Sequence, residues 1–411
     1  MKIKNVQAIE ILDSRGFPTV RCFVTLDDGS VGSSSVPSGA STGSHEAVEL
    51  RDLDQKRYGG QGVLNAVVNI KNEISKLILG QEADPKTIDE ILIKLDGTEN
   101  KSRLGANAIL AVSQALIRAV ATSNKIPLWQ FINKYYFTES PNYPKIMFNV
   151  VNGGKHASWN FDIQEFIIIP QLQLPSEGIK VASTIYHSIQ KNLKSKKLST
   201  LVGDEGGFSP LLNSNEEVFQ LIIESASQAG YVNGRDFKLA IDGAASEFFD
   251  KGQYTLKKDN KVISGDELIK YYLAVRDKYN IYSFEDAFAE DDWENWTKFM
   301  NELGLNNLLI GDDLYCTNTK RMKTGFDKKS SNAVLIKPNQ IGSIKETVDA
   351  IKLAKSYHWA VAISHRSGET EDSFIADLAY AAAADFLKTG APCRSDRIAK
   401  HNRLIEIENN I

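Results

Sequence analysis

The chain has 411 residues, enough to bury a large core and to divide into one to three domains. Apolar residues make up 42% and charged residues 24%, and the net charge of −4 comes without a basic block, which argues against nucleic acid as a partner. Cys22, Cys316 and Cys393 lie far apart, the first residues lack an apolar leader, and no run nears the ~20 apolar residues of a membrane span; a cytoplasmic protein with no membrane partner is expected.

In chain order, residues 6–12, 19–26 and 30–36 alternate like strands, with Asp27-Asp28-Gly29 as a hairpin turn between the last two. The small-residue stretch Pro37-Ser-Gly-Ala-Ser-Thr-Gly-Ser44 reads either as a surface loop or as a lid hinged over a ligand, with Ser41 as an oxygen donor. A helix is expected from His45. Residues 63–79, 84–96 and 104–123 read as amphipathic helices, and Ile109, Val112, Leu116 and Val120 recur at helical spacing. Strands followed by helices suggest an α+β N-terminal domain over residues 1–138. The polar, proline-containing stretch 136–144 then leads into a second domain, 139–411.

The second part begins with strand-like runs at 146–151 and 166–169. The loop between them, residues 152–162, is too short for a crossover helix, so these two strands should be antiparallel. Residues 183–197 and 215–229 read as helices around a loop at 203–210. From Phe237 onward, six short apolar runs each close on a polar residue: Asp242, Glu285, Asp312, Lys337, His365 and Lys388. Their spacing is close to one βα unit, roughly 30 residues. Continuous apolar runs suit strands covered on both faces, and the C-terminal strand ends of a (β/α)8 barrel are where active sites lie. The expected fold class is therefore α/β: a β/α barrel with an antiparallel start, capped by the N-terminal α+β domain.

Asp242, Glu285 and Asp312 end three successive strands. Each alone could cap the following helix. Together, without nearby Cys or His, they favour a hard divalent ion such as Mg²⁺. Lys337 at a barrel mouth reads either as a structural ion pair or as a base whose pKa is lowered by burial and a nearby cation. His365 alone could equally be a satisfied strand-end histidine.

At these residues the chain resembles the enolases. The matching motifs are PSGASTG at 37–43, RYGGQGV at 57–63, LDGTENKSRLGANAILAVS at 95–113, NGGKHA at 152–157, IQEF at 163–166, GDEGGFSP at 203–210 and AASEF at 244–248. EDDW at 290–293, GDDL at 311–314, IKPNQIGS at 336–343, SHRSGETED at 364–372 and KTGAP at 388–392 continue the match to the end of the chain. The resemblance implies reversible dehydration of 2-phospho-D-glycerate to phosphoenolpyruvate, a step of glycolysis, with a lysine base and two Mg²⁺ per site. It implies that Asp242, Glu285 and Asp312 hold the tighter ion and Ser41 the second. Lys337 would be the base. Glu205 would be the acid, supported by Glu165 and Gln164, and His365 would line the same pocket. His156, Arg366, Ser367 and Lys388 would bind a phosphorylated carboxylate substrate, the arginine fork suiting phosphate oxygens. A homodimer or larger homo-oligomer is also implied.

The chain departs from the family pattern at Phe17, at Ser158 and Trp159, at Gly243 and Ala287, and at Asp396. None of these is a named catalytic group. They leave open an enolase-like enzyme acting on another phospho- or phosphono-carboxylate, or a non-catalytic binding protein on the same fold.

Overall fold

A computed structural model describes residues 1–39, 43–304 and 306–411 of the chain. Three antiparallel strands open it: β1 (Ile3–Leu12), β2 (Pro18–Leu26) and β3 (Val31–Ser35). The β2–β3 turn is made by the expected residues, with Gly29 at φ 89° and the Asp28 carboxylate accepting the Ser30 N–H at 2.8 Å. The helix Ala106–Ser123 lies directly on this sheet. A Cβ at Gly32 would stand 2.1 Å from the Ala115 carbonyl oxygen, so the strand meets the helix backbone to backbone. This helix is long and apolar enough to cross a membrane, but 83% of it is buried inside the protein, as befits a core helix.

The expected helix at 84–96 forms as Pro85–Asp96, with the Asp84 side chain accepting the Thr87 N–H, Pro85 at the first position and Gly97 left-handed beyond the end. The segment at 63–79 is helical from Leu64 to Ile78, with a π-helical turn at Ile70–Ile74. The helix expected from His45 does not form. Residues 45–57 run as turns and extended chain, because their backbone is bonded elsewhere: Ala47 N–H to the Gln340 carbonyl and Val48 N–H to the Asn100 carbonyl. A helix at Leu128–Tyr136 was not foreseen; its run of aromatics reads as weakly for helix as for strand.

The remaining chain closes an eight-stranded barrel: β4 (Lys145–Asn152), β5 (Glu165–Pro170), β6 (Phe237–Asp242), β10 (Ile281–Glu285), β11 (Leu308–Gly311), β12 (Ala333–Ile336), β13 (Ala360–Ser364) and β14 (Phe386–Lys388), with β14 paired back on β4. The small sheet β7 (Phe249–Asp250), β8 (Gln253–Leu256) and β9 (Lys261–Ile263) is inserted between β6 and β10. It accounts for the long interval between Asp242 and Glu285. β4 and β5 are antiparallel as expected, and β5 is antiparallel to β6 as well. The reversal matters for the site: Glu165, the first residue of β5, pairs with Asp242, the last residue of β6. A reversed strand thus contributes its N-terminal end to the mouth where its neighbours contribute their C-terminal ends. Met147, Ile167, Ile169, Ala240, Ile310, Leu335 and Phe386 fill the barrel interior, so it is a packed core below a polar mouth.

Candidate active site

The six strand ends do converge. One pocket at the barrel mouth is lined by Asp242, Asp312, Lys337, His365 and Lys388, joined by His156 and Gln164 from the β4–β5 connection, Glu165 at the start of β5, Glu205 from the β5–β6 connection, and Arg366 and Ser367 after β13. Glu285 lies just behind this lining, fully buried. Ser41 falls outside the described residues.

Lys388 is the hub of the carboxylates. Its Nζ stands 2.6 Å from Glu285 Oε1, 3.1 Å from Glu165 Oε2 and 3.4 Å from Asp242 Oδ2. Burial by itself would strip its proton, but these carboxylates outweigh it and hold the ammonium well above its ordinary pKa. Lys337 makes a short ion pair with Asp312. Of the two readings left open for Lys337, the ion pair is the one seen here: burial acts downward on its pKa, and the touching Asp312 carboxylate overrides it and holds it up. The Asp312 carboxyl is lowered in turn, its burial overcome by Lys337 and Lys388.

Glu165 and Glu205 form a second pair. Each has an oxygen near His156 Nδ1, at 3.7 and 3.8 Å. Burial raises the Glu165 carboxyl far above its ordinary range, and the Glu205 charge adds to this. Glu205 is also desolvated, but the facing His365 and His156 outweigh burial and hold it low. Of these two buried carboxyls, Glu165 is therefore the one that keeps its proton and Glu205 the one that ionises. Asn149 donates to Glu205 Oε2 at 3.0 Å.

Arg366 extends its fork to Glu46, at 2.7 and 3.0 Å, and to Asn339 Oδ1 at 3.0 Å. Glu46 was not singled out from the sequence; it comes from the N-terminal part of the chain, which is why barrel periodicity could not reveal it. Asp286 and Asp313 were missed too, although each directly follows a predicted ligand. The Asp286 carboxylate accepts the backbone N–H groups of Asp312 and Asp313 at 2.9 and 2.8 Å and so fixes the end of β11.

The donor set suits a divalent cation. Asp286, Asp312 and Asp313 bring oxygens within 4.8 Å of one another. Glu285 Oε2 is buried with no hydrogen-bond partner among the described residues, an oxygen left over for a ligand. The Glu285, Asp286 and Asp313 carboxyls are all pushed up, first by burial and then by neighbouring acids, as expected of a cluster short of positive charge.

The departures fall around this site rather than in it. Ser158 and Trp159 both have left-handed backbone, φ 53° and 61°, and the Trp159 ring is 37% exposed with Lys257 Nζ 5.6 Å from its centre. Trp159 is absent from the pocket lining. A Cβ at Gly243 would meet the Asp286 carbonyl and the Tyr272 hydroxyl at 3.0 Å each, so a larger residue here requires those neighbours to shift by a few tenths of an ångström. Ala287 is buried core. Phe17 is partly exposed in the β1–β2 turn beneath Arg15, and Asp396 pairs with Arg397.

Fold and pocket define a barrel enzyme with an acid–lysine site. Family models for the "Enolase, N-terminal domain" and the "Enolase, C-terminal TIM barrel domain" match residues 3–132 and 141–411. The chain is 51% identical to the enolase of Elusimicrobium minutum (strain Pei191), over 100% of this chain and 96% of that protein. The chain belongs to the enolase family, and it is a lyase.

Proposed function

We propose that the protein catalyses the reversible dehydration of 2-phospho-D-glycerate to phosphoenolpyruvate. The observation that carries this reading is the presence, in one pocket, of a strand-end lysine, two buried glutamates and an arginine fork. Removal of a proton alpha to a carboxylate and departure of a β-hydroxyl need a base, an acid and an anchor for a dianionic group.

Lys337, once it has left its Asp312 ion pair and given up its own proton to become the neutral amine, takes the alpha proton on Nζ. A proton held on Glu165 and relayed through Glu205 leaves with the β-hydroxyl as water, with Gln164 beside them in the pocket. Arg366 and Ser367 bind the phosphate, with His156 beside it, and Lys388 faces the substrate carboxylate. His365 lines the pocket next to Glu205. Asp242, Glu285 and Asp312 would hold one Mg²⁺, and Ser41 would contribute to a second. Bound there, the metal would supply positive charge where negative charge accumulates on the substrate carboxylate. The family also supports placing the domain boundary between residues 138 and 139, a homodimer or larger homo-oligomer, and a cytoplasmic role in glycolysis.

The test is absorbance of the enol phosphate formed from 2-phosphoglycerate with Mg²⁺. Turnover with an efficiency above about 10⁴ M⁻¹s⁻¹, the low end for ordinary enzymes, is expected. No turnover with this substrate, together with turnover of another phospho- or phosphono-carboxylate, would overturn the assignment.

A further inference from the structure

Arg397 is among the largest fully buried side chains of the protein, at 0% exposure, and no step above uses it. It lies near the start of the helix Ser395–Glu408 and reaches under the pocket floor. Its Nη1 makes short hydrogen bonds to His365 Nδ1 and to the Arg366 carbonyl. Its Nη2 donates to the carbonyls of Ser367 and, at 3.2 Å, Asp204. Asp396 Oδ2 stands 2.9 Å from its Nε. A buried guanidinium needs such compensation.

A guanidinium can only donate, since it does not lose its proton in proteins. The His365 Nδ1 facing it must therefore offer a lone pair. In a neutral imidazole the single proton is then on Nε2. That nitrogen is buried and, among the described residues, has no aligned hydrogen-bond acceptor. Glu205 Oε2 lies 3.3 Å away. From this geometry we infer that Arg397 is a positioning residue that locks His365 as the neutral, Nε2-protonated imidazole, a hydrogen-bond donor into the pocket beside Glu205 and not a base.

The surroundings agree. Burial lowers the His365 pKa to about 3; Glu205 opposes this, and Arg397 and Lys388 add to it. His365 could be thought an alternative base to Lys337, and this arrangement removes that option, because neither nitrogen presents a free lone pair to the pocket. The role assigned to the donor, next to the departing hydroxyl, rests on the dehydration proposed above. The tautomer itself does not.

The experiment is long-range ¹H–¹⁵N spectroscopy of the full-length protein labelled at histidine and arginine, with His365→Asn to assign the signal. His365 is expected to show a protonated Nε2, a bare Nδ1 coupled through a hydrogen bond to an arginine nitrogen, and no titration between about pH 5 and 8, where an ordinary histidine changes charge. Arg397→Lys keeps the charge but cannot fill the fork; its His365 signal should become a mixture of tautomers. Its kcat should fall roughly 10²-fold, as for loss of one preorganised hydrogen-bond donor, with a smaller change in KM. An Nδ1-protonated or titrating His365 in the wild type would overturn the inference, as would an unchanged tautomer in Arg397→Lys. If Arg397→Lys does not fold, the wild-type tautomer and coupling still decide. A wild type that shows the expected spectrum but no turnover would refute the proposed reaction and leave the tautomer lock standing.

Discussion

Lys337 and Glu205 stand at the two ends of the proposed elimination, so their substitutions should fail differently. Lys337→Ala should abolish exchange of the substrate's alpha proton with solvent deuterium. Glu205→Gln should slow dehydration by about 10²–10⁴-fold while some exchange continues. Exchange surviving in Lys337→Ala, followed by NMR, would move the base elsewhere. Asp312→Asn should leave the fold intact, because Gln340 can still donate to position 312 and Asp286 still holds its backbone. It should weaken divalent-ion binding, measured by calorimetry, and cost at least roughly 10² in turnover, the scale of losing one preorganised electrostatic group. Wild-type ion affinity and turnover in this variant would remove Asp312 from the ligand set.

Among the elements, the connection between β4 and β5 carries the strongest local departure from the family. Its two left-handed residues, Ser158 and Trp159, pay a conformational cost that aspartate and asparagine tolerate better. The double substitution Ser158→Asp with Trp159→Asn should therefore not lower the melting temperature, and because Trp159 packs on Lys257 outside the pocket, it should change KM for 2-phosphoglycerate less than about 10-fold, the low end of single-group discrimination. A sharp gain in efficiency would mean that the present pair shapes the pocket for a different substrate.

For the whole molecule, the junction between the N-terminal helices and the barrel is expected to respond to pH through one buried carboxyl, Asp89. Asp89 on the helix Pro85–Asp96 is fully buried and accepts the Lys345 backbone N–H and the Ser113 hydroxyl, each at 2.9 Å. Burial pushes its carboxyl up to about 7, further than these hydrogen bonds pull it down. A carboxyl whose pKa is raised on folding is more protonated in the native state, so its contribution to stability is complete at low pH and is lost as pH rises from about 4 to about 7. Asp89→Asn cannot ionise. The stability of wild type relative to this variant, from denaturant melts, should fall across that window and level off above it; a constant difference would place the Asp89 pKa outside it.

The sequence by itself determined the barrel, its antiparallel start and the residues at the strand ends, because a strand buried on both faces must be a continuous apolar run and any polar residue closing it must lie at the mouth. It also determined the hairpin at Asp27–Gly29 and the capped helix after Asp84, which are local chemistry. It did not reveal that β5 opposes both neighbours and thereby delivers Glu165 to the mouth beside Asp242. It did not reveal that residues 45–57 forgo a helix, since their backbone partners lie 50 and 290 or so positions away. Nor could it show Glu46 in the Arg366 fork or Arg397 on His365, because those contacts join segments more than 300 and more than 30 residues apart. Periodicity reports which face of an element is buried; only the closed tertiary structure decides which buried charges meet, and with their meeting, which of them hold a proton.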